Sequence, residues 1–276
     1  MESFSNNFTI EAICAVRASY KYELKDSYSE SIIEFLPKAQ KNCEILNKIS
    51  RGKFSRTILL RSLFFRKVMI EAAHSVSQII ILNAGLDPKP LSIDSLKKST
   101  KIFYVDSSYL CDFTKNIFNQ LNICVNNINF IPYSFNGDSV KLIEELKKVE
   151  VDFSSPTLIL WEGASYYFEP EIIYQLISNI SKEFKKLNFA FDFLNKCDYF
   201  KNNAPITLAI KKKLEFLESI GEPWKGFVEL RKMLMILNKC GFHSIEVKSR
   251  EKLEEELLNY VKMTKGQRFF ANISNY

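Results

Sequence analysis

The sequence predicts an α/β protein with a doubly wound, mostly parallel sheet, and three observations support this prediction. Short apolar runs alternate with amphipathic helical stretches between residues 76 and 195. Each run ends at turn residues or at an acid, as buried strands do. The intervening stretches are long enough for a helix to cross between parallel strands. A chain of 276 residues, 46% of them hydrophobic, can supply the core of such a fold.

Seven strands and their helices follow from the same pattern. Five strands alternate with helices, and two more close the sheet near the end of the chain. The predicted strands are 77–82, 101–105, 129–132, 156–161, 187–194, 244–248 and 268–273. The predicted helices of this part of the chain are 109–121, 139–149, 170–184, 226–240 and 251–263.

Two segments lie outside this alternation. Residues 1–75 are predicted to form an N-terminal helical cap, because apolar residues recur at three- and four-residue spacing in 29–36 and 56–73. Residues 76–276 are predicted to form the core domain. The core carries an insertion at about 196–225, after the fifth strand. Long connections at the carboxyl ends of strands often form lids over ligands, so a lid is expected here.

Composition excludes several classes of protein. The net charge is +6 and the lysines are spread along the chain, which argues against a nucleic-acid partner. Six cysteines occur without a Cys-x-x-Cys pair and only two histidines are present, so no metal site is expected. Isolated thiols and a polar N-terminal segment predict a cytoplasmic location. The apolar runs are too short to cross a membrane, and no membrane partner is expected.

The ends of the predicted strands carry residues that suit a ligand. The first strand ends at Asn83-Ala84-Gly85, where small residues let the backbone approach a ligand closely. Asp106 ends the second strand at the spacing of a ribose-binding acid, and Glu162 ends the fourth. Together these residues predict a nucleoside site, with a helix N-cap as the alternative for Asp106. A dinucleotide site for NAD would need further glycines in this turn.

These strand ends resemble those of the leucine carboxyl methyltransferase family, which includes protein phosphatase methyltransferases and bacterial O-methyltransferases of secondary metabolism. Residues 78–87 read QIIILNAGLD and resemble the QVVxLGAGLD signature of the family. Residues 103–106 (FYVD) are similar to its FEVD strand, and residues 162–168 (EGASYYF) to its EGVLxYL segment. Residues 25–28 (KDSY), Arg61-Ser62 and residues 221–242 are similar to its KDPY, ART and LxxxGF segments. The resemblance runs in the correct order over nearly the whole chain.

The resemblance implies a Rossmann-like methyltransferase sheet and S-adenosylmethionine (SAM) as the cofactor. It implies that Lys25 and Arg61 hold the methionine carboxylate of SAM, which a guanidinium suits bidentately. Residues 83–85 would form the backbone cradle, Asp106 would accept the ribose hydroxyls, and Glu162 would lie near the sulfonium. The other implied contacts are Ser134 and Phe135 beside adenine. Tyr167 is a further candidate, for contact with the substrate.

The resemblance also implies the reaction. We expect a SAM-dependent O-methyltransferase that methylates a carboxylate or hydroxyl of a small metabolite or a peptide terminus. Two departures leave an alternative open. Asn83 replaces the first glycine of the family signature, which places a side chain where the ligand would pass, and Ser134 replaces an aspartate beside adenine. The alternative is a catalytically altered protein of the same fold that binds another ligand or a protein partner.

Overall fold

The computed structural model of the chain describes residues 7–200, 207–259 and 268–276. A mixed sheet forms its centre, with the strand order β3-β2-β1-β4-β5-β8-β7 and with β6 paired to β5 outside this path. The strands are β1 (Gln78–Leu82), β2 (Lys101–Asp106), β3 (Ile128–Pro132), β4 (Thr157–Trp161), β5 (Leu187–Asn195), β6 (Phe227–Val228), β7 (Ser244–Ser249) and β8 (Arg268–Ser274).

The direction of winding reverses between β1 and β4. From β1 the sheet is built outward through β2 and β3 on one side, and through β4 and β5 on the other. These five strands are parallel to one another, whereas β8 runs antiparallel to both β5 and β7. The predicted doubly wound, mostly parallel sheet is confirmed, and each of the seven predicted strands ends within one residue of its observed bounds. Ligands bind beyond the carboxyl ends of the strands at such a reversal.

Burial on both faces of the sheet explains the unbroken apolar run of β1. Ile79 and Ile81 belong to the core on one face, and Ile80 and Leu82 to the core on the other, as the two-residue period of a strand requires. The buried Gln78 fixes the start of the strand, because its Nε2 donates to Thr157 Oγ1 and to the carbonyl of residue 152, each at 2.7 Å.

Helices cover both faces of the sheet. The first core contains α1, α3, α4, α5, α6 and α12, and the second contains α7, α8 and α11. None of the described helices is both long and apolar enough to cross a membrane. The helices are α1 (Phe8–Ser19), α2 (Lys21–Leu24), α3 (Ser29–Ile32), α4 (Ala39–Ile49), α5 (Lys53–Ala72), α6 (Ser108–Gln120), α7 (Ser139–Lys147), α8 (Pro170–Glu183), α9 (Lys196–Tyr199), α10 (Leu208–Ser219), α11 (Leu230–Lys239) and α12 (Arg250–Leu258).

The predicted helix over 226–240 is wrong at its start. Helix α11 begins at Leu230, and residues 227–228 form β6 instead. The cause is a close backbone approach, because the N–H of Gly226 donates to the carbonyl of Tyr166 at 3.0 Å. A Cβ on Gly226 would lie 2.6 Å from the carbonyl oxygen of Ser165. The insertion also contains α10, which the sequence pattern did not predict. Residues 201–206 of the insertion and 260–263 of the predicted last helix lie outside the described residues.

Candidate functional site

A cavity of about 650 Å³ lies at the reversal of the sheet. It is lined by the turn after β1, by residues at the ends of β2, β3 and β4, by helix α1 and by residues 221–225. This volume is within the range of small-molecule sites, and the position is the one that a doubly wound sheet provides for a ligand. Helix α1 and residues 221–225 contribute further side chains to the cavity, in addition to those predicted at the strand ends.

The turn after β1 has two residues in the left-handed region. Asn83 has φ 53° and Gly85 has φ 52°. After glycine, asparagine is among the residues that adopt this conformation most readily, so Asn83 can replace the family glycine without changing the turn. Its Oδ1 accepts a hydrogen bond from Trp161 Nε1 at 3.0 Å. The fully buried indole of β4 therefore holds the Asn83 side chain, which lines the cavity.

Asp106 connects the end of β2 to the turn after β1. Its Oδ2 accepts from the N–H of Gly85 at 2.9 Å, and its Oδ1 from the N–H of Ser107 at 2.7 Å. The N-cap of α6 is Ser107, whose Oγ accepts from the N–H of Leu110, so the alternative of Asp106 as the N-cap is wrong. Burial raises the pKa of the Asp106 carboxyl and the two backbone donors oppose that rise. A carboxylate has about four acceptor positions, so two remain for hydroxyl groups in the cavity.

Glu162 lies at the centre of a buried cluster of charges. Its Oε1 accepts from Arg61 Nε at 3.0 Å and from Arg17 Nη2 at 3.2 Å, and Lys89 Nζ lies 2.7 Å from its Oε2. Asp87 pairs with Lys89 at 2.6 Å and with Arg17 at 3.5 Å. Burial would raise the pKa of the Glu162 carboxyl, but the three cations hold it well below its usual range. Three cations against two carboxylates leave one positive charge, which suits a ligand carboxylate.

Gly163 makes room for the guanidinium of this cluster. The residue has φ 70°, and a Cβ on it would lie 2.4 Å from Arg61 Nη1. Arg61 Nη1 also donates to the hydroxyl of Tyr166 at 3.2 Å. The N–H of Gly163 donates to Asp192 Oδ1 at 2.6 Å, which fixes the turn after β4. Two physical features therefore favour glycine at position 163, namely its left-handed backbone angle and the guanidinium of Arg61 beside it.

One carboxylate joins three segments at the side of the cavity. Glu222 accepts from the hydroxyl of Thr9 and from the N–H of the same residue at 3.4 Å. Glu222 Oε2 also accepts from the hydroxyl of Tyr167 at 3.0 Å. Burial and the neighbouring Glu222 raise the pKa of Tyr167 well above its ordinary value, so this phenol stays protonated. Helix α1, residues 165–167 and the insertion are thereby tied together around the cavity.

The cavity gathers most of the predicted residues but not all. Arg61, Asp106, Glu162, Tyr167 and residues 83–85 line it, and Ser134 lies exposed at its margin. Phe135 does not line it, because its buried ring packs against Trp161 and Phe168.

Lys25 does not line the cavity either. It is exposed in a left-handed turn after α2, and Arg17 on α1 supplies the second cation beside Arg61 instead.

Sequence reasoning missed the residues that reach the cavity from distant segments. Arg17, Thr9, Lys89 and Glu222 contribute polar groups to the cavity or to its charge cluster. One signal was present for Arg17, because it is the only basic residue in the otherwise largely apolar helix α1. A charge on such a helix is buried at a cost unless it has partners. No local pattern marks the other three residues.

These groups fit the cofactor that the resemblance implies. Asp106 offers acceptors for ribose hydroxyls, and Ala84 and Gly85 offer backbone with little side chain in the way. Arg17 Nε is buried and has no hydrogen-bond partner in the described part of the chain, so a donor remains for the methionine carboxylate. A buried donor of this kind is costly until something pairs with it.

Comparison with known proteins gives a family and a fold for this chain. The family model for leucine carboxyl methyltransferase matches residues 19–181, which is more than half of the chain. A DUF574 family protein from Streptomyces avermitilis is 10% identical, with a TM-score of 0.64 over 95% of this chain and 97% of that one. A protein from Thermobifida fusca YX, provisionally named a methyltransferase, is 12% identical, with a TM-score of 0.58 over 94% and 93%. Comparison with curated proteins gives no match.

The two solved structures show the fold, and the family model shows the family. Both structures share the fold over 94–95% of this chain, at sequence identities too low to show anything more. The family uses SAM as its methyl donor, in agreement with the cofactor that the resemblance implies. The matched region contains the turn after β1, Asp106 and Glu162, which line the cavity. The chain belongs to the leucine carboxyl methyltransferase family of SAM-dependent methyltransferases.

Proposed function

We propose that the protein is an O-methyltransferase that methylates a carboxylate or hydroxyl oxygen of a small molecule or a peptide terminus. One observation carries this proposal. The cofactor cavity adjoins a second cavity of about 400 Å³, and Thr9, Arg61 and Tyr167 line both. A methyl transfer needs a donor site and an acceptor site that meet where the reacting atoms lie. The shared residues mark that meeting point.

The side chains of the cofactor cavity have separate tasks in this proposal. Arg17 and Arg61 hold the methionine carboxylate, with Arg17 in the place that the resemblance gave to Lys25. Asp106 accepts the ribose hydroxyls, and the backbone of residues 83–85 passes beside the methionine chain. Ser134 lies on the adenine side. Glu162 orients both arginines, since it accepts a hydrogen bond from each.

Methyl transfer requires that the protein holds the two reactants in position and excludes water from them. When bound, SAM supplies an electrophilic methyl group on a sulfonium. The chain would hold the acceptor oxygen in line with that methyl group, where Arg61 and Tyr167 border both cavities. A carboxylate acceptor moves no proton, whereas a hydroxyl acceptor also releases one to water. The contacts of Glu222 with Thr9 and Tyr167 keep helix α1 closed over the reacting atoms.

The alternative function, a catalytically altered protein that binds another ligand or a protein partner, rested on Asn83 and Ser134. The hydrogen bond from Trp161 gives the Asn83 side chain a structural role, which explains its presence in place of glycine. Ser134 is exposed at the margin of the cofactor cavity, so serine in place of the family aspartate changes few contacts there. We therefore do not favour this alternative.

Binding of S-adenosylhomocysteine, measured by calorimetry, tests the cofactor site. We expect Asp106→Ala to weaken binding by about 1.5–3 kcal/mol, the scale of a hydrogen bond to a charged group. Asp112→Ala is the matched control, because Asp112 is exposed on α6 and does not line the cavity. Equal affinities of these two folded variants would remove Asp106 from the site. Incubation with methyl-labelled SAM and a panel of carboxylic acids and phenols then tests O-methylation, and labelled product from neither class would refute it.

A further inference from the structure

The second cavity has an unusual charge. It lies between helices α4, α5 and α10, the start of β8 and residues 166–167. The chain as a whole carries 38 basic and 32 acidic residues, so an average surface would offer both signs. The lining instead contains basic side chains and, among the described residues, no aspartate or glutamate. The basic lining residues are Arg51, Lys53, Arg61, Lys213, Arg250 and Arg268.

Lys213 differs from its cationic neighbours in what it contacts. Arg61 and Arg268 are paired with the carboxylates of Glu162 and Asp192, which do not line this cavity. Lys213 Nζ instead lies 3.9 Å from the centroid of the Trp224 ring. No carboxylate of the described residues lies within ion-pair distance of this ammonium. An aromatic face stabilises a cation less than an anion does, so Lys213 lacks its best partner within the described residues.

The electrostatics of the cavity agree with this geometry. Burial, together with the positive charges of Arg268, Arg250 and Lys53, lowers the pKa of Lys213 to about 7. An anion placed among these groups would stabilise the ammonium and raise that pKa again. Binding of an anion should therefore take up a proton at alkaline pH.

The same cavity presents flat apolar surfaces. The Trp224 ring lies 4.8 Å from the Tyr166 ring and 6.3 Å from the Tyr199 ring, measured between centroids. Trp224 Nε1 is buried and has no hydrogen-bond partner within the described ranges. A planar ligand can pack against these rings and accept a hydrogen bond from the indole.

We propose that the second cavity binds the methyl acceptor and that this acceptor is an aromatic molecule with an anionic group, which Lys213 and Trp224 recognise. This inference rests on the proposed function, because the cavity can be an acceptor site only if the protein transfers methyl groups. The anionic group lies at the Lys213 end. The oxygen that receives the methyl group lies at the other end, where Arg61 and Tyr167 border the cofactor cavity.

Calorimetry with three small molecules tests whether the second cavity recognises both an aromatic ring and a negative charge. Benzoate carries the ring and the charge, benzamide carries the ring alone, and acetate carries the charge alone. We expect benzoate to bind at least about tenfold more tightly than either of the others, which corresponds to one charged hydrogen bond or one buried ring. Benzoate titrated above pH 7 in buffers of different ionisation enthalpy should also show proton uptake. Equal binding of benzoate and benzamide, or of benzoate and acetate, would overturn the proposal.

Substitutions at Lys213 locate the binding. Lys213→Met removes the charge and keeps the length, and it should weaken benzoate by about tenfold while benzamide stays unchanged. Lys213→Arg should keep benzoate binding and abolish the proton uptake, since an arginine stays charged. Lys212→Met is the matched control, because Lys212 is the exposed neighbour on α10 and does not line the cavity. Benzoate affinities of Lys213→Met and Lys212→Met that do not differ would refute the assignment.

A titration with S-adenosylhomocysteine separates this inference from the proposed function. All three lysine variants should bind that ligand as the wild type does, which also shows that they are folded. Binding of S-adenosylhomocysteine without a preference for benzoate would overturn the acceptor assignment alone. Benzoate binding through Lys213 without any binding of S-adenosylhomocysteine would overturn the proposed function, and with it the role of the anion as acceptor.

Discussion

The hydrogen bond between Asn83 and Trp161 leads to a prediction with an unexpected direction. Asn83→Gly restores the residue that the family signature has at this position, yet we expect it to destabilise the protein. The change leaves the fully buried Trp161 Nε1 without its partner at 3.0 Å. An unsatisfied buried donor costs about 1–3 kcal/mol.

Two smaller effects of the glycine nearly cancel. At φ 53° a glycine avoids left-handed strain of about 1 kcal/mol. It also loses about 0.5–1 kcal/mol through the greater freedom of the unfolded chain. The net expectation is therefore the cost of the lost hydrogen bond, about 1–3 kcal/mol in the free energy of unfolding. Affinity for S-adenosylhomocysteine should change by no more than about twofold, since the side chain is held by β4 and not by the ligand.

A double-mutant cycle in urea isolates this interaction. The single variants Asn83→Gly and Trp161→Phe each remove one partner, and the double variant should show a coupling of about 1 kcal/mol or more. Asn83→Asp is the conservative control, because aspartate keeps an acceptor for the indole. A coupling near zero would mean that the bond does not stabilise the fold. Asn83→Gly with unchanged stability and about fivefold tighter binding would show that the Asn83 side chain does obstruct the cofactor.

Two further predictions concern Gly163 and Lys213. Gly163→Ala should weaken binding of S-adenosylhomocysteine, measured by calorimetry, because a Cβ would displace Arg61. Gly241→Ala should not weaken it, since Gly241 also has a positive φ but has open space around it and does not line the cavity. Equal effects of the two variants would refute the role of the contact. The unfolded chain holds the Lys213 proton up to about pH 10.5 but the fold releases it from about pH 7. The free energy of unfolding should therefore rise between these values, and urea titrations of Lys213→Met should show a smaller rise.

The fold could be predicted because its signals are local. Buried parallel strands are unbroken apolar runs, and β1 and β4 are buried along their whole length. Their ends are marked by the turn at residues 83–85 and by Glu162. The helix predicted from residue 226 failed at its first residues, since the contact of Gly226 with residues 165–166 is a tertiary feature. Such a contact has no periodicity in the sequence.

From the residue pattern alone, the site could be predicted only at the ends of strands, whereas Arg61 on α5 was implied by the family resemblance. Asp106 and Glu162 meet because parallel strands end at one edge of the sheet. Arg17 and Glu222 reach the same cavity from helix α1 and from the insertion, and no local sequence pattern shows how those segments fold over the sheet. They therefore had to be found in the structure.

The KDSY segment shows how a motif can be present for a different reason. The buried Asp26 accepts the N–H groups of Tyr28 and Ser29 and the hydroxyl of Ser29, which fixes the start of α3. The preceding Lys25 is exposed. In this chain the motif is explained by the aspartate and the turn it forms, rather than by a lysine that reaches the cofactor.

Arg61 contacts residues of the segment after β4 and so connects two of the sequence motifs in space. Its Nε donates to Glu162, its Nη1 donates to the hydroxyl of Tyr166, and Gly163 leaves the space that the guanidinium occupies. The arginine of α5 and the segment after β4 therefore depend on one another, although about one hundred residues separate them. Arg61 also lines both cavities, so its position affects the donor and the acceptor together. A change that moves this guanidinium should disturb both sites, whereas a change at Lys213 should disturb only one.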